Sequence, residues 1–178
     1  MRYVALLRAV NVGGRKVTMA ELKETVEKLG YENARTLVAS GNLVFDTKTT
    51  AATKLEAALE KAIEATFGLF SDVMVRSPAD WTALIKVNPF PKKAKDDPAH
   101  LVCMVCKDAP DAAPLAAYLK TFREKHDKGE QLKAIGREIY IDYGDSIGES
   151  KLILPKKVCT GTARNWNTVL KLAKMLEE

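Results

Sequence analysis

Acidic side chains are missing from two long stretches of this sequence: none occurs in the first twenty residues, and none from Ser150 through Leu176. Those stretches carry Arg2, Arg8, Arg15 and Lys16 at one end and Lys151, Lys156, Lys157, Arg164, Lys171 and Lys174 at the other. With 28 basic residues in all, the remainder holds 18 against 23 acidic ones, so the net charge of +5 averages two basic ends and an acidic middle. If the ends converge in space, they create a positive patch able to attract phosphate or another anion; if not, they are two separate basic surfaces.

Cysteine and histidine are scarce. Three cysteines, an odd number, exclude a disulfide framework and fit a reducing compartment. Cys103 and Cys106 have C-x-x-C spacing, but they lie in the apolar run LVCMVC, which reads as a buried strand. Positions i and i+3 of a strand point to opposite faces, so these thiols do not converge, and no second pair completes a zinc site. His100 reads as a surface residue, and His126 suits a helix C-terminus. No metal and no cofactor is expected. No apolar run approaches a membrane span, and the N-terminus MRYVALLRAVN is too short and too quickly polar for a secretory signal, so a soluble cytoplasmic protein without membrane contact is expected. Walker A and G-x-G-x-x-G patterns are absent, Ser40 lacks G-x-S-x-G context, and Ser150-Lys151 lacks S-x-x-K spacing.

What is present is alternation and amphipathic periodicity. Residues 3–8 read as a strand feeding the loop Asn11-Val12-Gly13-Gly14-Arg15-Lys16. Thr18-Met19-Ala20-Glu21 has the form of a capping box, with Val17 and Leu22 as a staple and Leu22, Val26 and Leu29 on the inner face of a helix ending at Gly30. Residues 35–39 and 43–45 pair through Ser40-Gly41-Asn42, a helix follows over 51–67, and residues 70–76 alternate as a strand. The order βαββαβ predicts a ferredoxin-like split βαβ unit. A short helix then opens at Ser77-Pro78, and Asn88-Pro89-Phe90-Pro91 breaks it.

The expected organisation is α+β: a ferredoxin-like subdomain over 1–90, a linker over 91–100, and a second, smaller α+β subdomain over 101–178 that ends in a helix. The second half reads as a strand at 101–106, a helix at 113–125, a hairpin through Gly136-Arg137, a turn or short helix near Ser146, and a closing helix. Its β-α-β-β-α order raises an internal duplication, though no residue-by-residue repeat is visible.

The closing segment, TGTARNWNTVLKLAKML over 160–176, has two faces if helical throughout. Trp166, Val169, Leu170, Ala173 and Leu176 form the apolar one, and Arg164, Asn167, Thr168 and Lys171 form a donor stripe opposite. At the other end, a strand, Gly-rich turn and helix can aim backbone N–H groups at an anion, with Arg8, Asn11, Arg15 and Lys16 adding donors; a glycine pair needed only for a tight connection is the alternative. The candidate ligand-binding set is therefore Arg8, Asn11, Gly13, Gly14, Lys151, Arg164, Asn167, Thr168 and Lys171.

In order along the chain, YVALLRAVNVGGRKVTMAELK, ASGNLVF, NPF, SKL and TARNWNTVLKL resemble a bacterial family known as domain of unknown function 1697. The resemblance spans nearly the whole chain and implies an α+β fold with a ferredoxin-like N-terminal part, without an activity. That family has LRGINVGG where this chain has LRAVNVGG, so Ala9 stands in place of a glycine.

Three functional readings remain open on the sequence. The first is binding of a phosphorylated ligand or nucleic acid, with Arg and Lys neutralising phosphates and Asn and Thr orienting them. The second is an enzyme for an anionic substrate, with Asp145 or Glu149 as its base. The third is a structural or protein-interaction domain whose donor stripe satisfies backbone carbonyls.

Overall fold

A computed structural model describes residues 1–14, 16–49, 51–126 and 128–178. The chain forms two compact units, Met1–Ala83 with Lys171–Glu178 (unit 1) and Leu84–Leu170 (unit 2). Unit 1 runs β1 (Arg2–Leu7), α1 (Met19–Lys28), β2 (Glu32–Leu37), β3 (Asn42–Asp46), α2 (Ala52–Phe67) and β4 (Val73–Arg76). Its antiparallel sheet has the order β2-β3-β1-β4. This order is compatible with the split βαβ arrangement expected from the sequence.

Alternation in the strands decides which face meets the helices. Tyr3, Ala5 and Leu7 of β1, with Leu43 and Phe45 of β3, share one core with Leu22 and Val26 of α1 and Leu55, Leu59 and Ile63 of α2. Thr18 caps α1 by accepting the Glu21 N–H, and Gly68 ends α2 in the left-handed conformation. Leu29, expected in this core, is the C-cap of α1 and is exposed; the strand expected over 70–76 starts only at Val73, which leaves Phe70 exposed.

The outer edge of β4 is covered from α2. Glu60 Oε1 accepts the Val73 N–H and Glu56 Oε1 the Val75 N–H, each at 2.9 Å. One helical turn separates the two carboxylates and two residues separate the two strand donors, so helix and strand spacings match. An edge strand with satisfied donors is a poor template for further pairing.

Helices α3 (Pro78–Lys86) and α6 (Trp166–Glu177) contain the points where the chain passes between units. Ser77 caps α3 reciprocally with Asp80. The expected linker holds α4 (Pro91–Asp96) and a single 3-10 turn (Pro98–His100); Pro91 is pre-shaped for a first helical position. His100, read from the sequence as a surface residue, sits 2.8 Å from Asp97.

Unit 2 continues with β5 (Leu101–Cys106), α5 (Ala112–His126), β6 (Gln131–Ile135), β7 (Glu138–Asp142) and β8 (Gly161–Asn165). Its antiparallel sheet has the order β6-β7-β5-β8. Strand β8 corrects the sequence reading, which placed these residues in the closing helix. Pairing with β5, from Cys106 opposite Gly161 to Val102 opposite Asn165, overrides the local helical preference of Ala163-Arg164. Helix α6 begins only at Trp166, where Asn165 Oδ1 accepts the Asn167 N–H. The later start fixes the helix phase by Trp166, Val169 and Leu172, so Leu172 is buried and Leu170, expected inside, is 37% exposed.

Candidate functional site

The loop after β1 is built by unusual backbone angles and one amide. Ala9, Asn11, Gly13 and Gly14 all have positive φ. Asn11 Nδ2 donates to the carbonyls of Val17 (2.9 Å) and Ala39 (2.7 Å), and its Oδ1 accepts the Val17 N–H at 2.7 Å. Both amide hydrogens are thereby engaged in closing the loop. A Cβ at Gly13 or Gly14 would meet nothing within 4 Å, so these glycines serve the turn's dihedrals rather than a close approach. Arg8 lies 3.6 Å from Asp72, its N–H donates to the Asp72 carbonyl, and its carbonyl accepts from the Ser71 hydroxyl. Lys16 is exposed. Arg15 lies outside the described residues.

The other candidates divide between the units. Lys171 belongs to unit 1, and Lys151, Arg164, Asn167 and Thr168 belong to unit 2. Because Arg164 sits on β8, it does not share a helix stripe with Asn167, Thr168 and Lys171. It is 6% exposed, and its Nη1 donates to Thr162 Oγ1 (2.6 Å) and to the Ala163 carbonyl (2.9 Å). Burial lowers its pKa to about 10, the direction expected when a cation loses water. Lys151, Asn167 and Lys171 are exposed, and Thr168 is half-buried.

A set of residues that the sequence reading did not single out surrounds a cavity of about 450 Å³ within unit 1: Arg2, Lys23, Asn33, Ala34, Arg35 and Glu178. Arg2 and Arg35 lie on the face of the sheet away from the core shared with α1 and α2. Arg2 grips Asp46 as a fork, Nε to Oδ1 at 3.0 Å and Nη2 to Oδ2 at 3.1 Å. Arg2 Nη1 and Arg35 Nη2 both donate to the Met175 carbonyl near the end of α6, at 3.4 and 2.7 Å. Arg35 Nη1 also pairs with the Glu178 carboxylate. The end of a helix carries partial negative charge, which favours two guanidinium groups there. The Arg2 bond holds the Asp46 carboxyl below the usual carboxylate range, and Asn33 adds to it against burial.

These residues converge only through strand pairing and the return of the chain at α6, so no local motif announces them. The register of β1 against β3, which sets Arg2 opposite Asp46, is the one signal that could have flagged part of the set.

A second cavity, of about 500 Å³, lies in unit 2 and includes Phe90, Lys93, Asp97, Gln131, Asp142 and Asp145 in its lining. Of its two lysines, Lys92 and Lys93, the second is already neutralised: Lys93 Nζ is 2.8 Å from Asp97, 3.4 Å from Asp142 and 2.6 Å from the Gly144 carbonyl. Among the described residues no group of three or more His, Cys, Asp or Glu is placed to hold a metal ion. No helix among them is long and apolar enough to cross a membrane.

Fold and cavity together define a two-sheet α+β protein with an arginine-rich pocket in its first unit. The model of a family described as a protein of unknown function, DUF1697, matches residues 1–140, and the chain belongs to that family. The SKL and TARNWNTVLKL motifs fall outside the matched residues. A conserved bacterial protein from Streptococcus pneumoniae is similar over 98% of both chains, with 25% identity and a TM-score of 0.75. No curated protein matches the sequence.

Proposed function

We propose that this protein binds a small, multiply charged anion of the phosphorylated class in the cavity lined by Arg2, Lys23 and Arg35. The supporting observation is that a carboxylate already occupies part of it: Glu178 engages Arg35, as an oxyanion ligand would. Planar guanidinium groups suit phosphate and carboxylate oxygens, and Lys23 adds a mobile point charge. The lining offers one carboxylate, Glu178, and it is held by Arg35, which favours binding over acid–base chemistry. The setting we assign is the cytoplasm, whose reducing conditions suit three cysteines held as thiols.

Calorimetric titration with inorganic phosphate, pyrophosphate, a nucleoside diphosphate and a single-stranded oligonucleotide, over a salt series, tests this reading. Saturable binding of the small phosphates that weakens with salt is expected, with loss in Lys23→Ala/Arg35→Ala and a several-fold gain in Glu178→Gln. No saturable binding at low salt removes it. Binding that survives Lys23→Ala/Arg35→Ala but fails in Arg8→Ala/Lys151→Ala moves the site to the acid-free segments. Binding of the oligonucleotide alone, with a steep salt slope, makes the partner nucleic acid.

A further inference from the structure

Cys106 and Cys159, distant in sequence, have their sulfur atoms 2.8 Å apart within unit 2. Cys106 ends β5 opposite Gly161, and Cys159 lies two residues before that glycine. The chain is pinned on both sides of the contact, by the Lys107 N–H on the Thr160 carbonyl (2.8 Å) and the Asp111 N–H on the Val158 carbonyl (2.9 Å). Gly161 leaves the room: a Cβ there would stand 2.7 Å from the Val105 carbonyl oxygen and 3.1 Å from Cys106 Sγ. Cys106 is buried in the unit 2 core, and Cys159 packs against that core while half-buried. Cys103, three residues from Cys106 on the same strand, is buried outside that cluster, as strand alternation requires.

We propose that Cys106 and Cys159 are a hydroperoxide-sensitive dithiol that closes to a disulfide. The sulfur atoms need approach by less than about 1 Å to reach a bond of about 2.05 Å. The half-buried Cys159, more accessible than the buried Cys106, meets the oxidant first. Its thiolate attacks one peroxide oxygen, the O–O bond breaks, and the departing hydroxide takes up a proton to leave as water. Cys159 is then a sulfenic acid. The Cys106 sulfur attacks that sulfur, the S–O bond breaks, and the hydroxyl leaves as a second water with the Cys106 proton. Two thiols lose two protons and two electrons, and hydrogen peroxide takes up both to become two waters.

The bond staples the end of the 143–160 connection to β5. Elsewhere that connection is tied by, among other contacts, the Ser150 hydroxyl on Glu130, the Ile153 N–H on the Tyr118 hydroxyl, and Leu152 and Val158 in the core. Lys151 lies within it, so oxidation restrains one of the exposed cations of unit 2.

The test treats the full chain with hydrogen peroxide, labels remaining thiols with maleimide under denaturing conditions, and reads intact mass and a non-reducing peptide map. The expected result is a loss of about 2 Da before labelling, a fall from three reactive cysteines to one, and one cross-linked peptide pair joining Cys106 to Cys159. Dithiothreitol restores all labelling, proteolysis within 143–160 slows several-fold on oxidation, and Cys103→Ser gives the same cross-link. The map of the unsubstituted chain decides the matter, so a poorly folding Cys106→Ser does not obscure it. Three labelled cysteines after oxidation, oxygen adducts without a cross-link, or a bond to Cys103 would overturn the proposal.

Discussion

The two units build the same sheet by different crossovers. In unit 1 the third strand reaches the fourth through the 16-residue helix α2; in unit 2 the equivalent connection, 143–160, contains no helix. Sheet order survives the difference, β2-β3-β1-β4 against β6-β7-β5-β8, and so does register. Val4 of β1 stands between Val44 and Arg76, and Cys103 of β5 stands between Tyr140 and Arg164. The two arginines thus hold equivalent places. Arg76 is 1% exposed and donates Nη1 to the Val75 carbonyl at 3.0 Å; Arg164 makes the same bond to the residue before it. One residue after each arginine, Ser77 or Asn165, caps a helix that buries a tryptophan, Trp81 or Trp166. Strand pairing therefore sets this layout, and the crossover sets how the fourth strand is held.

Glycines that admit a neighbouring strand or loop are the most sensitive points of each unit. Gly41 has φ +76, and a Cβ there would lie 2.6 Å from Val10 Cγ2 and 2.8 Å from Leu7 Cβ. Gly41→Ala combines a left-handed penalty of about 1–2 kcal/mol with overpacking of about 1–3 kcal/mol. Gly161 has no positive φ, so Gly161→Ala loses only the overpacking, about 1–3 kcal/mol. Denaturant unfolding followed by Trp81 for unit 1 and Trp166 for unit 2, each with the other tryptophan changed to Phe, measures both. A larger loss at Gly161 would mean that the β5–β8 ladder is the less adaptable one.

Next in size is the carboxylate pair on α2. Glu56→Ala leaves the Val75 N–H without that acceptor at a buried site and should destabilise unit 1 by about 1–3 kcal/mol. Glu60 is less buried, and Glu60→Ala should lose less. A neutral Glu56→Ala, by the same tryptophan signal, would show that the helical crossover holds β4 by packing alone.

Period and punctuation made much of unit 1 legible from sequence. The Thr18 cap, the Gly68 stop and the hairpin at Gly41 are local signals, and each acts over a few residues. What stayed hidden is non-local. Strand β8 exists because β5 pairs with it, Arg2 and Arg35 meet at the Met175 carbonyl through the return of α6, and Cys159 finds Cys106 across the ladder rather than through C-x-x-C spacing. The suspected duplication is a repeat of register, which pairing carries, and not of residues. The amide of Asn11 suits a ligand donor when only the sequence is in view; in the fold the same amide bonds Val17 and Ala39.

A smaller effect separates the carboxylates that close the third strands, Asp46 and Asp142. The Arg2 bond depresses the Asp46 pKa, so its stabilisation is complete above the unfolded value of about 4 and lost as pH falls through the lower folded value. Asp46→Asn should flatten the acid limb of unit 1 stability by less than about 1 kcal/mol. Asp142 instead supports Lys93, whose pKa is raised: burial opposes the charge, but the Asp97 bond and the charges of Asp142 and Asp97 outweigh it. That contribution is complete below the unfolded value of about 10.4 and lost as pH rises through the folded one. Asp46 is thus expected to act on the acid side of unit 1 and Lys93 on the alkaline side of unit 2, where the lowered pKa of Asp97, from its bonds to Lys93 and His100, adds an acid-side response; stability–pH curves from the two tryptophans check this.

The smallest effect concerns backbone strain. All four described non-glycine residues with positive φ, Ala9, Asn11, Asn33 and Val38, lie in unit 1, whereas in unit 2 such angles fall on Gly129, Gly136 and Gly144. Ala9, at φ +53, occupies the position where the family resemblance places a glycine. Ala9→Gly relieves about 1–2 kcal/mol of left-handed strain and gives back about 0.5–1 kcal/mol through the freer unfolded chain, so unit 1 should gain about 0.5–1 kcal/mol. Gly144→Ala is the reverse experiment: φ is +65 and a Cβ would meet nothing within 4 Å, so strain acts there without a clash. It should destabilise unit 2 by a similar amount. Equal and opposite shifts in the two unfolding midpoints would show that unit 1 tolerates at Ala9 a strain that unit 2 avoids. An unchanged midpoint for Ala9→Gly beside a loss for Gly144→Ala would mean that the loop closed by Asn11 holds residue 9 left-handed whatever its side chain.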